Sequence, residues 1–462
     1  MELSTMQSSE TWLVGGTLYT QDEKRSVLKA DIQIIGGKIA AIIPSLAGPK
    51  LKANPQQARR ANQAILDVSG LTIIPGFVQA HVHLCQTLFR NQADDLELLD
   101  WLSKRIWVYE AAHTEETLYT SALLGIYELL SSGTTCILDM GTVRHTNVIF
   151  EAVSKTGIRA NIGKCLMDHP TRTPKSLRDK TKTALKEAQA LYLRWNHTHH
   201  DRIRASYAPR FAISCTDHLM KEVALIAKDQ GALIHTHASE NKKEITLIRE
   251  LFGCENIEYL ASLGLCSPQL VLAHGVWLNE KEKKILRQTG THIAHCPSSN
   301  LKLASGIAPI PQLLSRGINV ALGADGAPCN NSLNMFQEMR LAALIHKPES
   351  GPKAMPAMEV LDMATRNGAK ALGWFDQIGS IEVGKKADLV ALDLNGPLNT
   401  VPERKLLCPE AIASSIVYST QPTHISWTMV DGKVLYKNGE TLTISKSSLM
   451  RQVRKAQETL LL

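Results

Sequence analysis

The chain has 462 residues, of which 44% are apolar and 21% are charged, a composition that is ordinary for a globular protein. This length exceeds what one small core needs and suits a large α/β barrel with an accessory domain. The formal net charge is +7, and Lys and Arg are spread among acidic residues, so neither nucleic acid nor a membrane surface is an expected partner.

Targeting signals and cysteines narrow the class further. No apolar stretch reaches ~18 residues, so the sequence predicts no transmembrane helix. Residues 1–7 lack a basic region followed by an apolar core, so we expect no signal peptide. The nine cysteines are odd in number and form no Cys-X-X-Cys, which argues against a disulfide scaffold or a thiolate zinc site. We therefore expect a reducing, cytoplasmic location.

Residues 1–70 and 380–462 are expected to form one composite β-sandwich. Apolar and polar residues alternate around turn-forming glycines in four segments of these regions: 12–20, 31–40, 387–393 and 427–436. This alternation is typical of antiparallel strands, and Asp431-Gly432 is a typical hairpin turn. Strands from both termini are therefore predicted to pair.

Residues 71–379 are predicted to form a (β/α)8 barrel of the TIM type, which makes the fold class α/β. Eight apolar runs alternate with amphipathic segments such as 216–230 and 280–289; the runs are 76–83, 134–139, 158–165, 203–208, 232–237, 270–274, 291–296 and 319–325. A doubly wound open sheet also fits this alternation. No Gly-X-Gly-X-X-Gly follows a strand, however, and polar residues cluster at the ends of many strands, where a barrel places its active site.

Metal-binding residue types terminate four of these runs. His81 and His83 are two residues apart, and side chains at that spacing on a strand point to the same side. Three further runs end in His237, His274 and Asp325. Three imidazoles and one carboxylate leave room for a water on a divalent ion, and such an ion lowers the pKa of that water toward ~7. A catalytic metal site is therefore predicted.

Hydrolysis by such a water also needs a group that takes up its proton, and Glu240 is the candidate because it lies three residues past His237. Each residue alone has a simpler interpretation. A lone histidine is more often an ordinary core residue, Asp325 could form a turn, and Glu240 could be a solvated acid at a helix start. The metal site is favoured because all of these groups end apolar runs at intervals that a barrel requires.

Several motifs together resemble the amidohydrolase superfamily, and within it the metal-dependent aminohydrolases. The motifs span residues 75–83, 235–240, 273–275, 295–300, 323–326, 330–340 and 379–388. The resemblance covers nearly the whole chain and implies an enzyme, a hydrolase acting on C–N bonds of cyclic amidines. A binding or structural barrel on the same fold is the alternative from another class.

The resemblance also implies roles for individual residues. The metal ligands would be His81, His83, His237 and Asp325. Glu240 would be the proton shuttle, His274 would assist the tetrahedral intermediate, and Asp325 would double as a proton acceptor. Relatives with two metals bridge them by a carboxylated lysine, which the fourth predicted strand lacks.

Lys164, at the end of the third predicted strand, is an alternative bridging lysine, but a single divalent ion is expected, most simply Zn²⁺, with Fe²⁺ as the second choice. The resemblance leaves a homo-oligomer open.

The substrate is a small molecule, and the motifs divide over its identity. Residues 330–340 and Glu110 resemble deaminases of 5′-deoxyadenosine, methylthioadenosine and S-adenosylhomocysteine, in which a carboxylate contacts the ribose hydroxyls. Gln86 and Arg210 instead resemble guanine deaminase, in which such side chains read the purine edge; Glu240 and His274 would also touch the substrate. We expect an adenosine-like nucleoside, with a free purine such as guanine second and an s-triazine third.

Overall fold

The computed structural model describes residues 10–44 and 63–460. The strands, in chain order, are β1 (Glu10–Tyr19), β2 (Val27–Ile35), β3 (Lys38–Pro44), β4 (Gln63–Asp67), β5 (Thr72–Pro75), β6 (Phe77–Val82), β7 (Thr134–Asp139), β8 (Arg159–Leu166), β9 (Ile203–Pro209), β10 (Ile234–Ala238), β11 (Leu270–His274), β12 (His292–His295), β13 (Val320–Leu322), β14 (Leu389–Leu392), β15 (Asn395–Gly396), β16 (Asn399–Thr400), β17 (Ile425–Val430), β18 (Lys433–Lys437) and β19 (Glu440–Thr441). They form an eight-stranded sheet, a nine-stranded sheet and one two-stranded ribbon.

Helices fill the connections between the strands. The α-helices of six residues or more are Trp107–Ala112, Glu115–Ser131, Asn147–Thr156, Thr181–Trp195, Asp217–Gln230, Lys242–Phe252, Asn256–Ser262, Glu280–Thr289, Pro297–Lys302, Ile310–Ser315, Met335–Ile345, Ala357–Ala364, Arg366–Ala371, Pro409–Tyr418 and Lys446–Leu460. Shorter turns of α-helix include Leu98–Trp101 and Ala327–Asn330, and Leu102–Ile106 is π-helical. Within the described ranges, no helix is long and apolar enough to cross a membrane.

The strands β6–β13 form the barrel that the sequence predicts. They are hydrogen-bonded in sequence order, and each pairs in parallel with its neighbour. The first and last strands are joined where the Asp325 amide donates to the His81 carbonyl at 3.1 Å. The α/β barrel class is therefore confirmed, and the ring brings the carboxyl ends of all eight strands to one face, here called the mouth.

Local sequence signals set the helices that return the chain between strands. Thr216 caps the helix Asp217–Gln230 by accepting a hydrogen bond from the Leu219 amide, and Gly231 ends the helix at φ +62°. Left-handed backbone of this kind favours glycine. The predicted ranges 216–230 and 280–289 match the observed helices within one residue.

The nine-stranded sheet joins both ends of the chain, as predicted. Its order is β19-β18-β17-β14-β5-β1-β2-β3, with β4 also paired to β1. Its apolar side chains share one core, which includes Leu13, Ile32, Leu389 and Trp427. We call it the terminal sheet.

The predicted domain limits at residues 70 and 380 do not coincide with the limits of the terminal sheet. The sheet includes β5, which starts two residues beyond the predicted limit at residue 70, and residues 380–462 also carry the helices Pro409–Tyr418 and Lys446–Leu460. The division at residues 70 and 380 therefore stays a prediction. The described residues exclude three segments of the predicted sandwich: 1–9, 45–62 and 461–462. The prediction that residues 1–7 are not a signal peptide also lies outside them.

Candidate metal and active site

Three histidines and one aspartate meet at the mouth. His81 and His237 lie in β6 and β10, His83 directly follows β6, and Asp325 follows β13. One donor atom of each residue lies within 4.8 Å of the donor atoms of the others. We call these four residues the His/Asp cluster.

The donor separations suit a single small cation. His81 Nε2 is 3.2 Å and His83 Nε2 is 3.4 Å from Asp325 Oδ1, and the Nε2 atoms of His83 and His237 are 3.3 Å apart. Tetrahedral ligands bound at ~2.1 Å stand about 3.4 Å from one another. Moreover, His81 Nε2 is buried, and Asp325 is the polar group that it faces at 3.2 Å. The residues present therefore fit one divalent ion.

Neighbouring groups orient two of these imidazoles. His237 Nδ1 is 2.7 Å from the carbonyl oxygen of Arg210, and because a carbonyl only accepts, Nδ1 carries the proton and Nε2 keeps its lone pair. His81 Nδ1 lies 2.8 Å from His235 Nε2, which leaves His81 Nε2 directed at Asp325. Such outer hydrogen bonds fix the tautomer of metal-binding histidines. His235 lies in a motif that the sequence analysis recognises, yet this role was missed.

Burial and mutual repulsion keep the imidazoles neutral. Burial lowers the pKa of His81, and lowers the pKa of His83 and of His237 well below its usual range. Burial alone would raise the pKa of Asp325, but the adjacent His81 and other imidazoles hold it well below its usual range. Neutral imidazoles and an ionised carboxylate are the forms that bind a metal.

Asp325 has an unusual backbone conformation and two further hydrogen bonds. Its φ is +62°, a left-handed value that is uncommon for a residue with a side chain. Ser299 Oγ donates to its Oδ2 at 2.6 Å, and the Gly326 amide donates to its Oδ1 at 2.8 Å. These contacts hold the carboxylate against the imidazoles, and the sequence analysis did not anticipate Ser299.

Glu240 and His274 form a pair beside the His/Asp cluster. His274 Nε2 is 3.4 Å from Glu240 Oε2 and 3.9 Å from Asp325 Oδ2. Burial, reinforced by the negative charges of Asp325 and Glu244, raises the pKa of Glu240 well above its usual range. A carboxyl group with a raised pKa next to an imidazole is suited to take up and release a proton.

Two side chains that the sequence analysis missed support this pair. Glu244 accepts a hydrogen bond from the Glu240 amide at 2.7 Å, within the cap of the helix Lys242–Phe252. Asn300 Oδ1 lies 2.9 Å from His274 Nδ1. Glu244 is recognisable in the sequence as an acid four residues after Glu240, and Asn300 as the last residue of the motif at 295–300.

Gln86, Glu110 and Arg210 are brought together, with Gln86 and Arg210 in the pocket lining and Glu110 behind them. Arg210 donates to both oxygens of Glu110 at 2.5 and 3.1 Å, and Gln86 Nε2 donates to Glu110 Oε1 at 2.9 Å. Gln86 Oε1 is buried and has no hydrogen-bond partner within residues 10–44 and 63–460, and Gln86 and Arg210 line the pocket. Both Glu110 oxygens already accept hydrogen bonds, so a ribose hydroxyl would have to replace one of these donors or bind beside it. The ribose-binding role of Glu110 stays a prediction.

Lys164 has a different environment. Its Nζ donates to Asp179 Oδ2 at 3.0 Å and to the Val143 carbonyl at 2.6 Å. Lys164 is thus paired with Asp179, and its role as an alternative bridging lysine stays a prediction.

An apolar wall faces the polar floor of the pocket. The wall consists of apolar side chains from the connections that follow β6, β9 and β12: Leu98, Trp101, Leu102, Phe211 and Leu303. Trp101 is 4% exposed, and its Nε1 has no hydrogen-bond partner. A flat, partly polar heterocycle would satisfy both surfaces.

Known proteins with the same architecture are similar to this chain over most of its length. A 5′-deoxyadenosine deaminase of Methanobrevibacter smithii is 39% identical, over 86% of this chain and 88% of its own length. A 5-methylthioadenosine/S-adenosylhomocysteine deaminase of Syntrophobacter fumaroxidans is 35% identical, over 97% and 98%. The crystal structure of an adenosine deaminase from Xanthomonas campestris with bound zinc matches with a TM-score of 0.86 and 29% identity, over 98% of each chain.

The family model described as the amidohydrolase family matches residues 72–435, which include the whole barrel and every residue of the site. With relatives above 30% identity over more than two thirds of the chain, the assignment does not depend on single motifs. The chain belongs to the amidohydrolase family.

Proposed function

We propose that this protein is a hydrolytic deaminase that releases ammonia from an adenosine-like nucleoside such as 5′-deoxyadenosine, methylthioadenosine or S-adenosylhomocysteine. The observation that carries the proposal is the placement of Glu240 and His274 beside the His/Asp cluster, with His274 Nε2 3.4 Å from Glu240 and 3.9 Å from Asp325. The names of the similar proteins support the same reaction and the same substrate class.

His81, His83, His237 and Asp325 would hold one divalent metal, with Zn²⁺ favoured over Fe²⁺ because the similar adenosine deaminase structure contains zinc. When bound, such an ion lowers the pKa of water toward ~7 and so supplies a nucleophile at neutral pH. The four neutral or anionic donors suit that ion because no proton has to be displaced from them.

The protein's own residues then move the protons. Glu240 accepts a proton from the attacking water and returns it to the departing amino group, a cycle that its raised pKa favours. Asn300 holds His274 at Nδ1, so that His274 Nε2 faces Glu240. From there Nε2 stabilises the charge that develops on the oxygen added to the ring carbon. Asp325 Oδ2 is the second acceptor for the water's proton. The net change is replacement of an amino group by oxygen, with ammonia released.

A free purine such as guanine is the second candidate, because Gln86 and Arg210 line the pocket and Gln86 Oε1 has no partner. That oxygen could accept a hydrogen bond from a ring N–H, which guanine carries and a nucleoside of adenine lacks. An s-triazine is the third candidate. A binding barrel without activity is disfavoured by the presence of both the His/Asp cluster and the Glu240–His274 pair.

The decisive experiment combines metal analysis with an assay of ammonia release. The panel contains 5′-deoxyadenosine, methylthioadenosine, S-adenosylhomocysteine, adenosine, adenine, guanine and an aminotriazine. We expect one zinc per chain and the highest kcat/KM on a 5′-substituted adenosine. Bound zinc without ammonia from any of these compounds contradicts the deaminase function, and a preference for guanine favours the second candidate. A cytoplasmic location and self-association complete the proposal, and gel filtration with light scattering tests the latter.

A further inference from the structure

One buried carboxylate near the mouth has no role in the function proposed above. Glu338 lies in the first turn of the helix Met335–Ile345 and is 0% exposed. Burying a carboxylate is costly unless hydrogen bonds satisfy it. Glu338 belongs to the motif at 330–340 that the sequence analysis uses only as a marker of substrate class.

Glu338 binds donors from two different loops. Its Oε1 accepts from Ser298 Oγ at 2.5 Å and from Asn330 Nδ2 at 2.9 Å, and its Oε2 accepts from the Ser298 amide at 3.2 Å. Ser298 belongs to the segment after β12, and Asn330 belongs to the segment after β13. A single carboxylate therefore joins the last two loops of the mouth.

Both loops lead directly to Asp325. Ser298 precedes Ser299, whose Oγ donates to Asp325 Oδ2 at 2.6 Å. Asn330 Nδ2 also donates to the carbonyl of Ala324, the residue before Asp325, at 2.7 Å. Glu338 is thus linked to the Asp325 side chain through Ser298 and Ser299. It is linked to the backbone just before Asp325 through Asn330.

Asp325 is a residue that needs such support. Its backbone is left-handed, at φ +62°, a conformation that residues with a side chain uncommonly adopt. Such a conformation persists only where surrounding contacts fix the backbone. The hydrogen bonds from Ser299 and to the Ala324 carbonyl fix it from two sides.

We propose that Glu338 is a positioning residue that sets the orientation of Asp325 toward the cation through Ser298–Ser299 and through Asn330–Ala324. The proposal rests on the metal site of the proposed function but concerns a residue that touches neither metal nor substrate. The Glu338 side chain suits this position because its two oxygens accept all three hydrogen bonds.

The test compares Glu338→Gln with the matched variant Glu282→Gln. Glu282 is also a buried carboxylate in the first turn of a helix, and its acceptor bonds are to the amides of Ile257 and Asn279 rather than to neighbours of Asp325. Glu338→Gln keeps the volume but sets an NH₂ group against the Ser298 amide. We expect the Kd for Zn²⁺, measured by chelator competition, to rise about tenfold in Glu338→Gln and to stay unchanged in Glu282→Gln.

The absorption spectrum of the Co²⁺-loaded protein gives a readout that a purely structural role would not alter. We expect shifted d–d bands and a lower kcat with an unchanged KM in Glu338→Gln, and wild-type spectra and kinetics in Glu282→Gln. If Glu338→Gln fails to fold, Ser298→Ala replaces it and is expected to change the spectrum and Kd in the same direction, by a smaller factor.

The outcomes separate this inference from the function on which it rests. Wild-type Kd and spectrum in Glu338→Gln and Ser298→Ala overturn the positioning role while leaving the metal site intact. Equal losses in Glu338→Gln and Glu282→Gln also overturn it, because they indicate general destabilisation. Wild-type protein that binds neither Zn²⁺ nor Co²⁺ contradicts the proposed function itself.

Discussion

The two ends of the barrel strands both bury polar side chains, but they satisfy the hydrogen bonds of those side chains differently. At the amino-terminal end of β8, Arg159 is fully buried and donates to Asp388 at 2.7 and 3.0 Å, to Asp431 at 3.0 Å and to the Asp201 carbonyl at 3.2 Å. At the mouth, buried nitrogen and oxygen atoms of three side chains have no hydrogen-bond partner among the described residues: His83 Nδ1, Gln86 Oε1 and both ring nitrogens of His295.

This difference distinguishes a cluster that stabilises the fold from a candidate catalytic site. The Arg159 cluster joins the barrel to the terminal sheet, and complete pairing is what a purely structural buried charge requires. Unpaired atoms at the mouth lower stability unless a ligand or ion satisfies them, and proteins accept such costs mainly at functional sites. We therefore expect changes at the mouth to affect turnover and acid stability, and changes at the opposite end to affect folding alone.

The largest expected effect is on turnover. Glu240→Gln removes the proposed proton acceptor but leaves the His/Asp cluster intact, so kcat should fall by about 10²–10⁴-fold while the zinc content stays at the wild-type level. Glu250→Gln, an exposed change in the following helix, is the control and should leave both quantities unchanged. Wild-type turnover in Glu240→Gln would remove this residue from the mechanism.

The next effect tests the opposite end of the barrel. Arg159→Met leaves Asp388 buried without its partner, which costs about 3–5 kcal/mol of unfolding free energy. The kcat/KM of the protein that remains folded should not change, because Arg159 lies at the end of β8 away from the mouth. Urea denaturation and steady-state kinetics measure the two quantities separately.

Lys455→Met is the control for this variant. It breaks the exposed pair of Lys455 with Glu116, which solvent screens, and should leave the unfolding free energy close to the wild-type value. A fall in kcat/KM for Arg159→Met would show that the two ends of the barrel are coupled, which contradicts the division described above.

The sequence predicts the residues of the mouth better than their connections. The His-X-His spacing and the apolar runs identify His81, His83 and Asp325, because strand periodicity and strand termination are local properties. The pairing of His81 with His235 joins positions 154 residues apart, and the pairing of Arg210 with Glu110 joins positions 100 apart. Such contacts depend on how the barrel closes and on which way each helix turns, and no local pattern encodes either.

The same limit applies at the opposite end. Asp388 is part of a recognisable motif, but its partner Arg159 is 229 residues away and lies in a strand that the sequence describes only as apolar. Similarly, Glu338 could be recognised as an acid at a helix start, whereas its burial against Ser298 depends on the packing of two loops.

The smallest expected effect concerns acid stability, and it separates the two ends without an activity assay. Burial lowers the pKa of His295, which lies at the end of β12, to about 3. Because the unfolded chain titrates near 6.5, it binds more protons than the folded protein at pH values between these two. Stability is therefore complete above pH 6.5 and is lost as the pH falls toward 3, with a slope of up to about 1.4 kcal/mol per pH unit. His295→Gln removes this contribution, so the variant should gain about 2 kcal/mol relative to wild type between pH 8 and pH 5.

Urea unfolding of the metal-free proteins at both pH values measures the gain, with the exposed His218→Gln as the control that should show none. A pH-independent effect of His295→Gln would mean that the imidazole is solvated or paired in the folded protein. In that case incomplete pairing would no longer distinguish the mouth, at this residue, from the end that carries the terminal sheet.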